Sequence, residues 1–183
     1  MRKGKPGKRM RWHAIIDRCP DAKTGAELGV FEGTLSYALL KRLPDLQLYM
    51  IDRWTPYNPE EIARTPNSKM PKRPKSYFDA AYKSAVSVAR KYKDRGHIIR
   101  RSTLDAVWYV PDGLDFVFVD ADHSYQGCRA DILAWKPKIK RGGWILGHDY
   151  GSDKRHPDVR RAVDEIFGSA VEVDSDHVWA VQL

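Results

Sequence analysis

The chain has 183 residues and 21.0 kDa, one domain at roughly 100–200 residues per domain. Its 42% hydrophobic and 31% charged residues suit a soluble globular protein, with no run near the ~18 apolar residues of a membrane span. Cys19 and Cys128 stand far apart without a CxxC, and the net charge is +8, from 32 Lys and Arg against 24 Asp and Glu, which excludes a disulfide scaffold or a cysteine zinc site and predicts a reducing, cytoplasmic setting.

Residues 1–8 (MRKGKPGK) are rich in Gly, Pro and Lys and lack the apolar core of a secretory signal, so they are expected to form a disordered basic tail. The domain is expected over 9–183. Residues 9–18 predict a short helix stopped by Pro20, with Met10, Ile15 and Ile16 on its apolar side. Strand and helix patterns then alternate: strand 26–30, helix 34–43 with Leu35, Leu39 and Leu43 at spacing four, strand 46–51. Segment 53–75 carries Pro56, Pro59, Pro66, Pro71 and Pro74 and a run of cations. It predicts a basic loop with at most one helical turn, long enough to serve as a lid.

A long helix is expected over 76–92, a strand over 97–101 and a short helix over 103–109. Strand 115–119 (DFVFV) leads to a helix over 124–136 and a turn at Gly142 and Gly143. Strand 144–147 follows, then a helix over 158–167 opened by Pro157, and two closing strands at 171–173 and 178–181. Strands separated by helices imply an α/β, Rossmann-like, doubly wound sheet with helices on both faces. Ligands of such sheets bind beyond the carboxyl ends of the strands, so chemistry is sought directly after each one.

Three post-strand sites stand out. Gly25 to Thr34 (GAELGVFEGT) joins the first strand to the first helix. Its glycines let the backbone approach a ligand, while Glu27 would repel a pyrophosphate and suits a cationic or zwitterionic one. The string is neither GxGxxG nor a phosphate loop. Asp52 follows the second strand, placed to accept hydrogen bonds from the two hydroxyls of a ribose. Asp120, Asp122 and His123 (DADH) follow the fourth strand, and His148 and Asp149 the fifth. Carboxylates converging from two neighbouring strand ends suit a hard cation.

GAELGVFEG with Asp52, then VFVDADHSYQGCRADILAW, GGWILGHDY and PDVRRAVDEIF, resemble class I S-adenosylmethionine-dependent methyltransferases of the family 24 branch. That branch is related to metal-dependent sugar and catechol O-methyltransferases. The resemblance covers about residues 22–183 and implies a mostly parallel seven-stranded sheet with an antiparallel last strand. By it, Glu27, Gly29 and Gly33 hold the methionine end of S-adenosylmethionine, Asp52 the ribose, Arg101 and Ser102 the adenine, and Asp120 adjoins the cofactor. Asp120, His148 and Asp149 map to the metal ligands. His148 stands where an oxygen ligand is usual, so Mg²⁺ gives way to Mn²⁺, Fe²⁺ or Zn²⁺ and the presence of any divalent cation stays open. Asp122 and His123 are the two candidates for the general base.

The resulting expectation is O-methylation of a hydroxyl on a sugar or other small metabolite, with no membrane partner and a homo-oligomer as in related sugar enzymes. A nucleic-acid methyltransferase using the basic tail is the alternative, disfavoured because no aromatic stacking platform is legible. From another class, Asp120 and Asp122 could be the DxD of a nucleotide-sugar glycosyltransferase, against which the Glu27 glycine loop argues. A non-catalytic binding module with a methyltransferase-like fold is the fourth reading.

Overall fold

The computed structural model describes residues 10–64, 70, 73–151, 156–174 and 176–183. The basic tail expected over 1–8 lies outside the described residues. In chain order the elements are α1 (Arg11–Arg18), β1 (Thr24–Leu28), α2 (Thr34–Arg42), β2 (Gln47–Asp52), α3 (Pro59–Arg64), α4 (Lys75–Lys91) and β3 (Gly96–Arg100). They continue with α5 (Thr103–Ala106), β4 (Leu114–Val119), α6 (Tyr125–Trp135), β5 (Ile139–Gly147), α7 (Pro157–Phe167), β6 (Glu172–Val173) and β7 (Trp179–Gln182).

The seven strands form one sheet in the order β3-β2-β1-β4-β5-β7-β6. β3, β2, β1, β4 and β5 run parallel, and β7 is antiparallel to both β5 and β6. This is the doubly wound sheet expected. Side chains alternate between two cores. Leu48, Met50, Phe116, Phe118 and Leu146 pack on the side of α1, α2 and α4. Leu28, Ile51, Val117, Val119 and Ile145 pack on the side of α6 and α7 with Ile132, Trp135 and Val163. Both faces of the parallel strands are therefore covered, which is why DFVFV reads as an unbroken apolar run.

The boundaries differ from expectation where backbone chemistry decides them. β1 begins two residues early because the Asp115 carboxylate accepts the Lys23 and Thr24 N–H groups, at 2.7 and 2.8 Å. It stops before Gly29, whose φ is +89°. β5 runs through Gly142 and Gly143 rather than starting after them, since Ile139 pairs with Leu114 before the register shifts. Gly142 still turns, with φ +78° and its N–H bonded to the Leu183 carbonyl. In α1 the buried residues are Ala14 and Ile15, while Met10 stays 46% exposed. The segment expected as a loop contains α3, one six-residue helix, and residues 65–69, 71 and 72 of it lie outside the described residues.

β1 lies between β2 and β4, so the chain reverses direction of winding at the β1/β4 boundary. The crevice that this topology opens at the carboxyl ends is where a ligand belongs.

The core is close enough at Gly25 to make a test. A Cβ built there would lie 2.3 Å from Cζ of the buried Phe116 ring. G25A is expected to lower the free energy of unfolding by about 2 kcal/mol or more, the range for overpacked cores. In the F116L background the same change is expected to cost measurably less by urea denaturation, because the ring it strikes is gone.

Candidate active site

A cavity of about 530 Å³ opens at the carboxyl ends of the parallel strands. Gly29, Asp52, Arg101, Ser102, Asp120, Asp122 and His123 all line it. These follow or end β1, β2, β3 and β4, so the order of strands in the sheet alone brings them together.

Gly29 is required by the backbone. Besides its positive φ, a Cβ there would lie 2.1 Å from the Asp120 carbonyl oxygen. Its N–H donates to the Ile51 carbonyl, and the Asp120 N–H donates to the Leu28 carbonyl, both at 2.9 Å. The ends of β1, β2 and β4 are thereby laced together. Asp52 holds the loop beyond β1: its carboxylate accepts the Phe31 N–H at 2.9 Å and the Trp54 N–H at 2.8 Å. Burial raises the Asp52 pKa, against the pull of those two amides. Ser102 caps α5, accepting the Asp105 N–H at 3.2 Å and donating to the Asp105 carboxylate at 2.6 Å. The Arg101 guanidinium lies over the Tyr109 ring at 4.2 Å.

Glu27 and Gly33 are not on the cavity wall. Glu27 is 2% exposed and accepts a hydrogen bond from Ser36 Oγ at 2.5 Å. Burial pushes its pKa up to about 8, with Asp120 and Asp52 adding repulsion and Ser36 and Arg11 opposing. The space beyond Gly33 is filled by Ala85 and Val88 of α4, so that glycine serves helix packing.

The carboxylates after β4 and β5 do meet, through His123. Its Nε2 lies 3.2 Å from Asp120 Oδ1 and 3.0 Å from Asp149 Oδ2. Burial alone would lower the His123 pKa, but the two carboxylates outweigh it and push it up to about 10. Asp149 is correspondingly held below the usual carboxylate range by His123 and His148, despite its burial. Arg11, the first residue of α1, makes an ion pair with Asp120 from the opposite side. The two carboxylates are thus ringed by His123, Arg11 and His156, whose Nε2 lies 3.9 Å from Asp149 Oδ2.

Among the described residues, ligand atoms of Asp120, His123 and Asp149 lie within 4.8 Å of one another. His148, expected in this set, stands outside it. The left-handed backbone of Asp149, φ +63°, turns its carboxylate toward His123. His148 Nδ1 is left buried without a hydrogen-bond partner, 3.3 Å from Asp149 Oδ1 but poorly aligned. Two carboxylates and one imidazole are a donor set that fits Mn²⁺, Fe²⁺ or Zn²⁺ better than Mg²⁺.

Two features escaped the sequence reading. Asp131 sits on the buried face of α6 with Cys128, Ile132 and Trp135, 2% exposed and on the cavity wall. Thr103 Oγ1 donates to its Oδ1 at 2.5 Å, its Oδ2 is unpartnered, and burial pushes its pKa up to about 7. An acid on an apolar helix face was the available signal. Arg11 lies in the helix expected over 9–18, and nothing local in the sequence points it at Asp120. The basic segment expected over 53–75 does reach the site: its Thr55, Tyr57, Glu61, Arg64 and Met70 line the cavity. α3 is fastened there by the Arg53–Glu61 ion pair and by the Asn58 side chain, which accepts the Glu61 N–H at 3.0 Å.

A model of a methyltransferase domain family matches residues 26–150, from within β1 to beyond the end of β5, with every cavity-lining residue but His156. The chain belongs to methyltransferase family 24. Among solved structures, the O-methyltransferase NovP is similar at 18% identity with a TM-score of 0.68, covering 94% of this chain and 78% of that one. The Bacillus cereus O-methyltransferase solved in complex with SAH gives 16% identity and a TM-score of 0.62, covering 97% and 84%. At these identities the likeness establishes the fold. An uncharacterized protein, R132, of Acanthamoeba polyphaga mimivirus is 34% identical over 74 residues. The match takes 38% of this chain and spans about a third (34%) of that relative's length. Among the described residues, no helix of this family member is long and apolar enough to cross a membrane.

The Glu27 environment predicts a pH effect. A carboxyl whose folded pKa is raised stabilises the fold fully below its unfolded pKa of ~4.5 and loses that contribution as pH rises through about 8. Wild type is therefore expected to lose stability relative to E27Q between those pH values in urea titrations without cofactor. Parallel curves for the two proteins would contradict the assignment.

Proposed function

We propose that this family 24 protein is an S-adenosylmethionine-dependent O-methyltransferase acting on a hydroxyl of a small molecule, a sugar or related metabolite. The observation that carries the reading is the single cavity onto which Gly29, Asp52, Arg101, Ser102 and Asp120 converge from four strand ends. When bound, S-adenosylmethionine would supply an electrophilic methyl group for transfer to the acceptor's hydroxyl oxygen, with its sulfur as the leaving group.

In this reading Asp52 accepts the ribose hydroxyls with the lone pairs its two backbone partners leave free. Arg101 and Ser102 border the adenine. The chain's remaining task is to position the acceptor in line and remove its hydroxyl proton. His123, whose charged form the two flanking carboxylates favour, is a poor base in this arrangement. Asp122 is the better one: it lines the cavity, and its Oδ1 is oriented by the Ser124 N–H at 2.8 Å. A divalent cation held by Asp120, Asp149 and His123 would acidify that hydroxyl further. Tyr57, Met70 and Phe78 offer the acceptor an apolar wall.

The primary test is calorimetric titration of S-adenosylhomocysteine into the purified protein. Micromolar binding, about −8 kcal/mol, is expected, and D52A is expected to weaken it tenfold or more. Absence of binding would overturn the reading. Once an acceptor is in hand, D122N is expected to lower kcat by about 100-fold or more while leaving cofactor affinity nearly unchanged. A comparable loss in H123N with D122N active would reassign the base.

A further inference from the structure

β3 ends the sheet on the β2 side, and among the described residues no strand pairs with its outer edge. Open edges invite pairing, and proteins usually guard them with proline, lysine or a bulge. β3 (GHIIR) has no proline and no lysine and runs in unbroken five-residue register with β2. Its edge is unguarded except for the terminal Arg100.

The sheet face beside this edge is also thinly covered. α5 has only four residues. Below it Tyr49 and His97, paired in the β2–β3 register, stack with centroids 5.1 Å apart and line a shallow groove with Ile99, Arg101 and Tyr109. Tyr109 on the groove wall is 56% exposed, and Trp108, next to it in the chain, is 86% exposed, the most exposed large hydrophobic side chain among the described residues. Scattered apolar residues on a surface need no explanation, but two adjacent exposed aromatic residues beside an open strand edge form a patch. Tryptophan, tyrosine and arginine are the residues that anchor protein interfaces.

The charge beside this patch selects the occupant. Arg101 and Asp105 stand four residues apart on either side of Leu104, both exposed. A surface bearing both signs is complementary to itself across a two-fold axis, which sets Arg101 of one copy against Asp105 of the other. A polyanion would gain from Arg101 and be repelled by Asp105.

We infer that this surface is a homodimer interface, in which the β3 edges of two copies face each other across a two-fold axis and Trp108 is the buried anchor. The interface bears on the cavity as well. Arg101 lines both the groove and the cavity, and Ser102, Thr103 and Leu104 form the cavity wall on the inner side of the same short segment. A second copy braces that wall from outside.

Sedimentation velocity of the full chain across the micromolar range tests this without any cofactor, so it stands or falls separately from the methyltransferase reading. Wild type is expected to be a dimer. W108A is expected to associate at least tenfold more weakly and to keep its thermal unfolding profile when both are dilute, since the side chain removed is exposed in the monomer. Hydrogen exchange at residues 96–100 is expected to be slow in the wild-type dimer and fast in W108A. A wild-type monomer over the whole range, or a dimer of equal affinity in W108A, overturns the inference. Binding of a fluorescent single-stranded oligonucleotide by a wild-type monomer, lost in W108A, would instead make nucleic acid the occupant and overturn it equally.

Discussion

The backbone of Gly29 passes so close to the carbonyl of Asp120 that no side chain fits between them. That contact, with the amide bonds from Gly29 to Ile51 and from Asp120 to Leu28, holds three strand ends at one level. Every post-strand group that the cavity uses is referred to it. Asp52 then reaches back to the Phe31 amide, and Asp120 is placed where a residue following β5 can meet it. Were the strand ends staggered, the same residues would be present in the chain and scattered in space.

Charge balance is the second constraint. Asp120 and Asp149 are neighbouring carboxylates in a partly buried cluster, an arrangement that is costly unless each finds a positive partner. His123 lies between them and Arg11 closes the outer side. The consequence for chemistry is direct. The imidazole that a motif reading offers as a base is held between two carboxylates that favour its charged form, and in the proposed reading the neighbouring carboxylate of Asp122 takes that role instead. Any divalent cation entering the cluster has to take the place of charges the chain itself supplies.

The unguarded edge at β3 belongs to the same geometry seen from outside. The connection between β3 and β4 is short, so the helix it contains cannot cover the β2–β3 face as α6 and α7 cover the strands further along. What a longer helix would have buried is left as a groove with exposed aromatic side chains beside it, directly behind the cavity wall.

Strand and helix alternation, the parallel sheet and the glycine loop were legible in the chain because hydrophobic period and turn chemistry are local properties. Asp52, Asp120 and Asp149 were legible because a residue that follows a strand in an α/β sheet must emerge at the same edge as the others. The rest depended on groups distant in sequence. Asp115 decides where β1 starts from 91 residues away, and a register shift decides where β5 starts. A left-handed backbone at Asp149 brings one carboxylate oxygen to His123 while the other lies 3.3 Å from His148 Nδ1. Glu27 reads as a ligand residue by its position in the glycine loop, yet alternation within β1 sends its side chain into the interior, against Ser36. Sequence order determined which residues could gather at one edge; side-chain direction, set by packing and backbone dihedrals, decided which of them face the cavity.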